Sequence, residues 1–131
     1  MTTRRLIAIL TLILLAAAGV ALAQTPAESA WKVLDAGMSD SNVTERTVAV
    51  RVLGLINDHP RAIEMAEKAL EDKNPEVRAA GAEALGKMGS KGSIEKLQAL
   101  LKDTESPVVM AATESLKTQV TPRRTKSTSP F

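Results

Sequence analysis

Asp40, Asp72 and Asp103 lie 32 and 31 residues apart, and Arg46 and Arg78 keep the same register behind the first two. Carboxylates beside guanidinium groups are the raw material of acid–base catalysis when a substrate can reach them. Their recurrence argues otherwise here. These residues return because the architecture repeats, and catalysis rarely needs three equivalent stations. The lone histidine, His59, precedes Pro60 at a helix start and has no evident carboxylate partner, so it reads as a solvated turn residue rather than a general base. Trp31 shares a stripe with Leu34 and Met38, the pattern of a hydrophobic cap on a stack end rather than of a ligand-stacking platform.

Other chemistries lack their parts. The chain contains no cysteine, which excludes disulfides, thiolate metal ligands and cysteine nucleophiles. One histidine without a carboxylate cluster cannot build a zinc site. There is no Gly-rich phosphate loop and no Ser-His-Asp set, so neither an enzyme nor a cofactor is expected. Asn42-Val43-Thr44 matches a glycosylation acceptor, which means nothing if the source is bacterial. The formal charge of +2 is misleading: without Arg4 and Arg5, 15 basic residues face 15 acidic ones, and setting aside Arg123, Arg124 and Lys126 as well leaves 12 against 15. A body of net −3 does not carry the concentrated basic surface of a nucleic-acid binder.

The elements that must hold these residues are helical. Aromatic residues make up 2% of the 131, too few for a sandwich or barrel, and alanine dominates the apolar set. Beyond the aspartates, Asn42 matches Asn74, Leu53-Gly54 matches Leu85-Gly86, and Ile63-Glu64 matches Ile94-Glu95. Ala69 to Asp72 matches Leu100 to Asp103, and a third copy keeps Ala111-Ala112, Glu114 and Leu116. Each copy reads as two helices. The first spans roughly Val43 to Asn57 and Pro75 to Met88; the second spans roughly Pro60 to Glu71 and Gly92 to Lys102. The inner stripes of the second helices are Ile63, Ala66 and Leu70, then Ile94, Leu97 and Leu101, with Glu64, Glu67, Lys68 and Glu71 pointing away. Asn74-Pro75 and Ser106-Pro107 place a capping side chain before a proline at the first helical position. Asn42 with Glu45, and Thr25 with Glu28, have the form of capping boxes.

The stretch from Asp72 through Asn74-Pro75, Val77-Arg78 and the alanines to Leu85-Gly86 resembles the HEAT-repeat motif of the phycobilin-lyase-like type. The resemblance covers about residues 38 to 120. The first copy departs from it at Thr44 and Glu45, and the third at Met110, which takes the place of the arginine. It implies an all-α fold, a short right-handed α-solenoid of about 2.5–3 HEAT-like hairpins. It further implies that Asp40, Arg46, Asp72, Arg78 and Asp103 form a ladder between neighbouring repeats, with the third rung incomplete. In such stacks the Glu/Lys face of the second helices lines the concave surface, which makes Glu64, Glu67, Lys68, Glu71, Glu95 and Lys96 the expected partner surface. Relatives of the phycobilin-lyase group handle chromophores, so a lyase or cofactor-handling role is the enzymatic alternative, although a shared scaffold does not carry that function with it.

Both ends of the chain carry further expectations. Arg4-Arg5, the apolar run Leu6 to Leu15 and the triplet Ala21-Leu22-Ala23 have the layout of a Sec-type secretory signal cleaved after Ala23. Residues 1–23 are thus expected to be removed, 24–120 to form the repeat domain, and 121–131 to be a disordered basic Ser/Thr/Pro tail. The mature protein would be secreted or periplasmic. Leu6 to Ala23 spans 18 residues, near the lower limit of about 17 for a membrane crossing, so an uncleaved signal would instead tether an adaptor to a membrane. The third copy offers Val108, Val109, Ala112, Leu116 and Val120 on a helix with no second helix to follow it. That face, Val109, Leu116 and Val120 above all, is expected to be covered by another protein or by self-association. The function read from the sequence is a non-catalytic scaffold for protein–protein interaction.

Overall fold

The computed structural model describes residues 25–121, and no strand occurs among them. Six α-helices follow in order: α1 Pro26–Met38, α2 Val43–Leu53, α3 Pro60–Ala69, α4 Pro75–Met88, α5 Ile94–Ala99 and α6 Ser106–Val120. A boundary between two compact units falls inside α1, so that its opening turns belong to the first unit and everything from Val33 onward to the second. Within the second unit the helices form a short α-solenoid. α2, α4 and α6 pack on one another in series, α3 packs on α2 and α4, and α5 packs on α6. The expected signal, and the expected tail apart from Thr121, lie outside the described residues.

One device starts each repeat. Asp40 Oδ1 accepts the Asn42 N–H at 2.7 Å, and Asn42 Oδ1 in turn accepts the Thr44 N–H at 2.9 Å. Thirty-two residues on, Asp72 Oδ1 accepts from Asn74 and Asn74 Oδ1 from Glu76, both at 2.8 Å. The aspartate therefore satisfies the cap residue's own N–H, which a capping box would have left to Glu45. That is why Asn42 caps without help from Glu45.

The third copy uses half of the device. Asp103 Oδ1 accepts the Glu105 N–H at 2.9 Å, which makes Glu105 the cap, without a side-chain bond. Helix α6 begins at Ser106 with Pro107 as its second residue, so Ser106 is not the cap that its proline neighbour suggested. The other differences also lie at helix ends. α2 stops at Leu53, short of Asn57, and the chain turns through Asp58, whose φ of 48° is left-handed. α4 stops where expected, because Gly89 takes φ 67° and lets the Ser90 N–H reach the Leu85 carbonyl at 3.3 Å. The second helix of that hairpin is broken into a 3₁₀ turn at Lys91–Ser93, α5 itself, and a further 3₁₀ turn at Leu100–Lys102.

The core is built from small side chains. Val50, Leu53, Ala62, Ala66, Ala80, Ala82, Leu85, Leu97, Val108 and Ala112 are fully buried. Two glycines in equivalent positions set the spacing between first helices. A Cβ on Gly54 would stand 3.1 Å from the Ala84 Cα, and one on Gly86 would stand 3.0 Å from the Ser115 Cα. Ser115 replaces Ala84 in the third copy and sends its Oγ–H to the Ala82 carbonyl at 2.7 Å, satisfying the polar group that this buried joint encloses.

Candidate functional site

The recurrent aspartates and arginines meet across the hairpins. Arg46 donates from Nε to Asp72 Oδ2 at 2.9 Å and from Nη2 to Asp72 Oδ1 at 3.1 Å. Its remaining Nη1 reaches back to the Asp40 and Ser41 carbonyls at 2.9 and 3.1 Å. Arg78 repeats the arrangement, donating to Asp103 Oδ2 and Oδ1 at 2.8 and 3.0 Å and to the Asp72 and Lys73 carbonyls at 2.9 and 3.2 Å. Each arginine thus ties the loop before its own helix to the loop that opens the next repeat, with planar two-point geometry that lysine could not supply.

The electrostatics follow from that geometry. Burial pushes the Asp72 carboxyl up, but hydrogen bonds from Arg46 and from the Asn74 N–H outweigh it and hold the group below its ordinary value. Asp103 is lowered by its bond to Arg78, then by the Glu105 N–H. The Asp72 and Asp103 carboxylates raise Arg46 and Arg78 respectively. In the Arg46–Asp72 and Arg78–Asp103 rungs each carboxylate oxygen meets a guanidinium donor. Asp40 forms the outer end of the ladder and is exposed.

The vacant rung at the other end lies at Val109, not Met110. Val109 donates its N–H to the Glu105 carbonyl as Arg78 does to Asn74 and Arg46 to Asn42. Counting from the aspartate that makes the turn, and not from the proline, gives that register.

A second seam joins the second helices, and sequence reasoning missed it. Glu67 was expected to face solvent. Instead, its Oε1 accepts from Ser93 Oγ at 2.6 Å while Oε2 pairs with Lys96. Ser93 is fully buried, and its Oγ lies 2.7 Å from that of Ser90. Burial raises Glu67, and the bonds from Lys96 and Ser93 more than reverse it, leaving the carboxyl below its ordinary value. Helix α1 offers the same contact one hairpin earlier, where Asp35 pairs with Arg61 at 2.7 Å. Arg46–Asp72, Arg61–Asp35 and Ser93–Glu67 are all separated by 26 residues. That common spacing was the available signal.

Of the expected partner surface, Glu64, Lys68, Glu71 and Glu95 are exposed, while Glu67 and Lys96 are occupied with each other. Val109 and Leu116 are half-buried and Val120 is exposed. Leu101, placed on the inner stripe from its spacing, is exposed and borders a groove with Thr113, Leu116 and Val120.

A family model for HEAT repeats matches residues 32–117. The chain belongs to the HEAT repeats. No curated protein matches it. The HEAT framework accounts for the ladder as a joint between repeats, and the family is generally non-catalytic. A hollow of about 320 Å³ opens between α1, α3 and α4, floored by Met38, Val50, Met65 and Val77. Of the three carboxylates that line it, Asp35 and Asp72 are committed to Arg61 and Arg46, and Glu71 is exposed. Among the described residues no group of three His, Cys, Asp or Glu could hold a metal ion, and no helix is long and apolar enough to cross a membrane.

Proposed function

We propose that this HEAT protein is an exported, non-catalytic scaffold that binds another protein through the outward row of its second helices. The observation that carries this reading is how the charges are divided. Arg46, Arg78, Asp72, Asp103 and Glu67 are consumed by the joints between hairpins, whereas Glu64, Lys68, Glu71 and Glu95 are exposed. HEAT repeats commonly serve as protein-interaction scaffolds. A row of solvated charges beside an open hollow of about 580 Å³, bordered by Ile63, Glu64, Ser90 and Lys91, suits a polar partner surface and gives a small substrate little enclosure. Export is supported by the Arg4-Arg5, Leu6–Leu15 and Ala21-Leu22-Ala23 layout of the N-terminal segment.

Crosslinking in intact cells tests the binding surface. Crosslinks from Lys68 and Lys91 to one protein, lost in the Glu64→Lys, Glu71→Lys double variant, are the expected result. Unchanged crosslinks in that variant would remove this surface from consideration. The mass of the mature chain tests export: a start at Gln24 is expected, and a membrane-bound chain starting at Met1 would mean a tethered adaptor instead.

A further inference from the structure

The described chain opens on one half of a hairpin and closes on the other. Gly37, Met38 and Asp40 stand 32 residues before Ala69, Leu70 and Asp72, so α1 has the register of a second helix. Val108, Ala112 and Leu116 stand 31 residues after Val77, Gly81 and Leu85, so α6 has the register of a first helix. Burial records what each half lacks. Val48 and Val52 of α2 are 51% and 39% exposed, yet Ala80 and Ala84, their counterparts in α4, are sealed beneath the preceding first helix. Val33 is 71% exposed where its counterpart Met65 is buried. At the other end Leu101, Met110 and Val120 are 42%, 71% and 72% exposed, although Leu70, the counterpart of Leu101, is buried. Leu101, Leu116 and Val120 border a groove of about 360 Å³. Every large exposed apolar residue of the described chain except Leu55 belongs to one of these two ends.

We propose that the two ends bind each other between copies of this chain, with α6 of one copy standing before α2 and α1 of the next as a missing first helix. Val48, Val52 and Val33 would then be covered as Ala80, Ala84 and Met65 are inside one copy. The charges agree with the pairing. Residues 24–53, through the end of α2, hold Glu28, Asp35, Asp40 and Glu45 against Lys32, Arg46 and Arg51, a net of −1, whereas residues 106–131 hold Glu114 against Lys117, Arg123, Arg124 and Lys126, a net of +3. Opposite potentials steer this orientation and oppose a contact between two like ends. The surfaces differ, so the contact is heterologous and copies add in an open-ended row. The joint is looser than those within a copy. Lys117 occupies the place of Gly54 and Gly86, and Val109 supplies no guanidinium to Asp40 of the next copy. This proposal uses none of the outward charges of α3 and α5, so either reading can fail alone.

Sedimentation velocity on the protein as the cell processes it, over a concentration series at low and high salt, tests the pairing. The mean mass should rise with concentration past that of a dimer, and less so at high salt. Val48→Glu and Met110→Glu, both at exposed positions, should each abolish that growth with melting temperatures near that of the wild type. An equimolar mixture of the two should stop at a dimer, since each variant keeps the end that the other has lost. A strictly monomeric wild type would overturn the proposal, as would a monomeric mixture. Undiminished association of Val48→Glu would point to like ends meeting, and a large fall in its melting temperature would show that Val48 is covered by its own chain. Either result refutes the pairing.

Discussion

Replacing Gly86 by alanine should destabilise the protein, although helix propensity alone argues the reverse. Gly86 lies in the last turn of α4, where alanine ordinarily gains up to about 1 kcal/mol. Here the added Cβ would stand 2.5 Å from Ser115 Oγ, 2.8 Å from its Cβ and 3.0 Å from its Cα. Carbon atoms prefer about 3.5–4.0 Å, and the Cα cannot rotate away, so α6 has to move. Overpacking of this kind costs about 1–3 kcal/mol. The shift also stretches the buried Ser115–Ala82 hydrogen bond, worth about 1 kcal/mol net. The net loss is then about 1–3 kcal/mol, which for a domain of this size lowers the melting temperature by about 5–15 °C. Thermal melts followed by circular dichroism read it directly. Gly92→Ala is the control, since nothing lies within 4 Å of a Cβ there. Adding Ser115→Gly to Gly86→Ala should cost less than the two changes taken separately. A Gly86→Ala variant that melts at or above the wild-type temperature would refute the close approach of α4 and α6.

Asp72→Ala should lower the melting temperature more than Asp40→Ala, because Asp72 holds both Arg46 and the Asn74 N–H whereas Asp40 holds the Asn42 N–H at an exposed site; equal losses would deny the ladder a role in stability. Asp72 and Asp103 titrate lower in the folded chain than the ordinary 3.8, so the unfolded chain takes up protons first as the pH falls. Their stabilisation is complete above about pH 5 and is lost through 3.8 and below, and urea midpoints at pH 6 and pH 3 should differ less in Asp72→Ala than in the wild type. Val109→Arg should restore the vacant rung and strengthen association between copies, an effect that Asp40→Ala should cancel; a Val109→Arg protein that associates like the wild type would count against the register proposed for the joint.

The repeat was legible because its signals are local and redundant. An aspartate two residues before the cap, a cap two residues before the N–H it accepts, and a buried valine one turn later fix the start of α4 several times over. The third copy was harder to read because its most conspicuous mark, Pro107, is a weak one. Any position in the first helical turn lacks an intrahelical partner for its N–H, so proline fits more than one of them without fixing the count. The Asp103 turn does fix it, and moves the arginine position from Met110 to Val109. Glu67 escaped notice for another reason. Helical periodicity assigns a residue to a face of its own helix, and cannot show that Ser93 and Lys96 of the next hairpin arrive on that face.

Two kinds of joint therefore hold successive hairpins, and they divide the work. The small-residue seam along Gly54, Ala84, Gly86 and Ser115 lets the first helices approach closely enough to bury their apolar faces, the source of most of the stability. The arginine–aspartate rungs are mostly buried, so the cost of desolvating them offsets much of their attraction, but two-point geometry admits one register and rejects a slip along the helix. At α6 the two part company. Met110 and Val120 keep an exposed apolar side there, while Val109 drops the rung and Lys117 fills the place of the glycine. A surface that keeps the apolar half of a joint and lacks its register device can bind only loosely, with charge steering in place of a fixed rung. That is the behaviour expected of reversible addition between copies, and it makes Val109 the position at which a single arginine should convert weak pairing into strong.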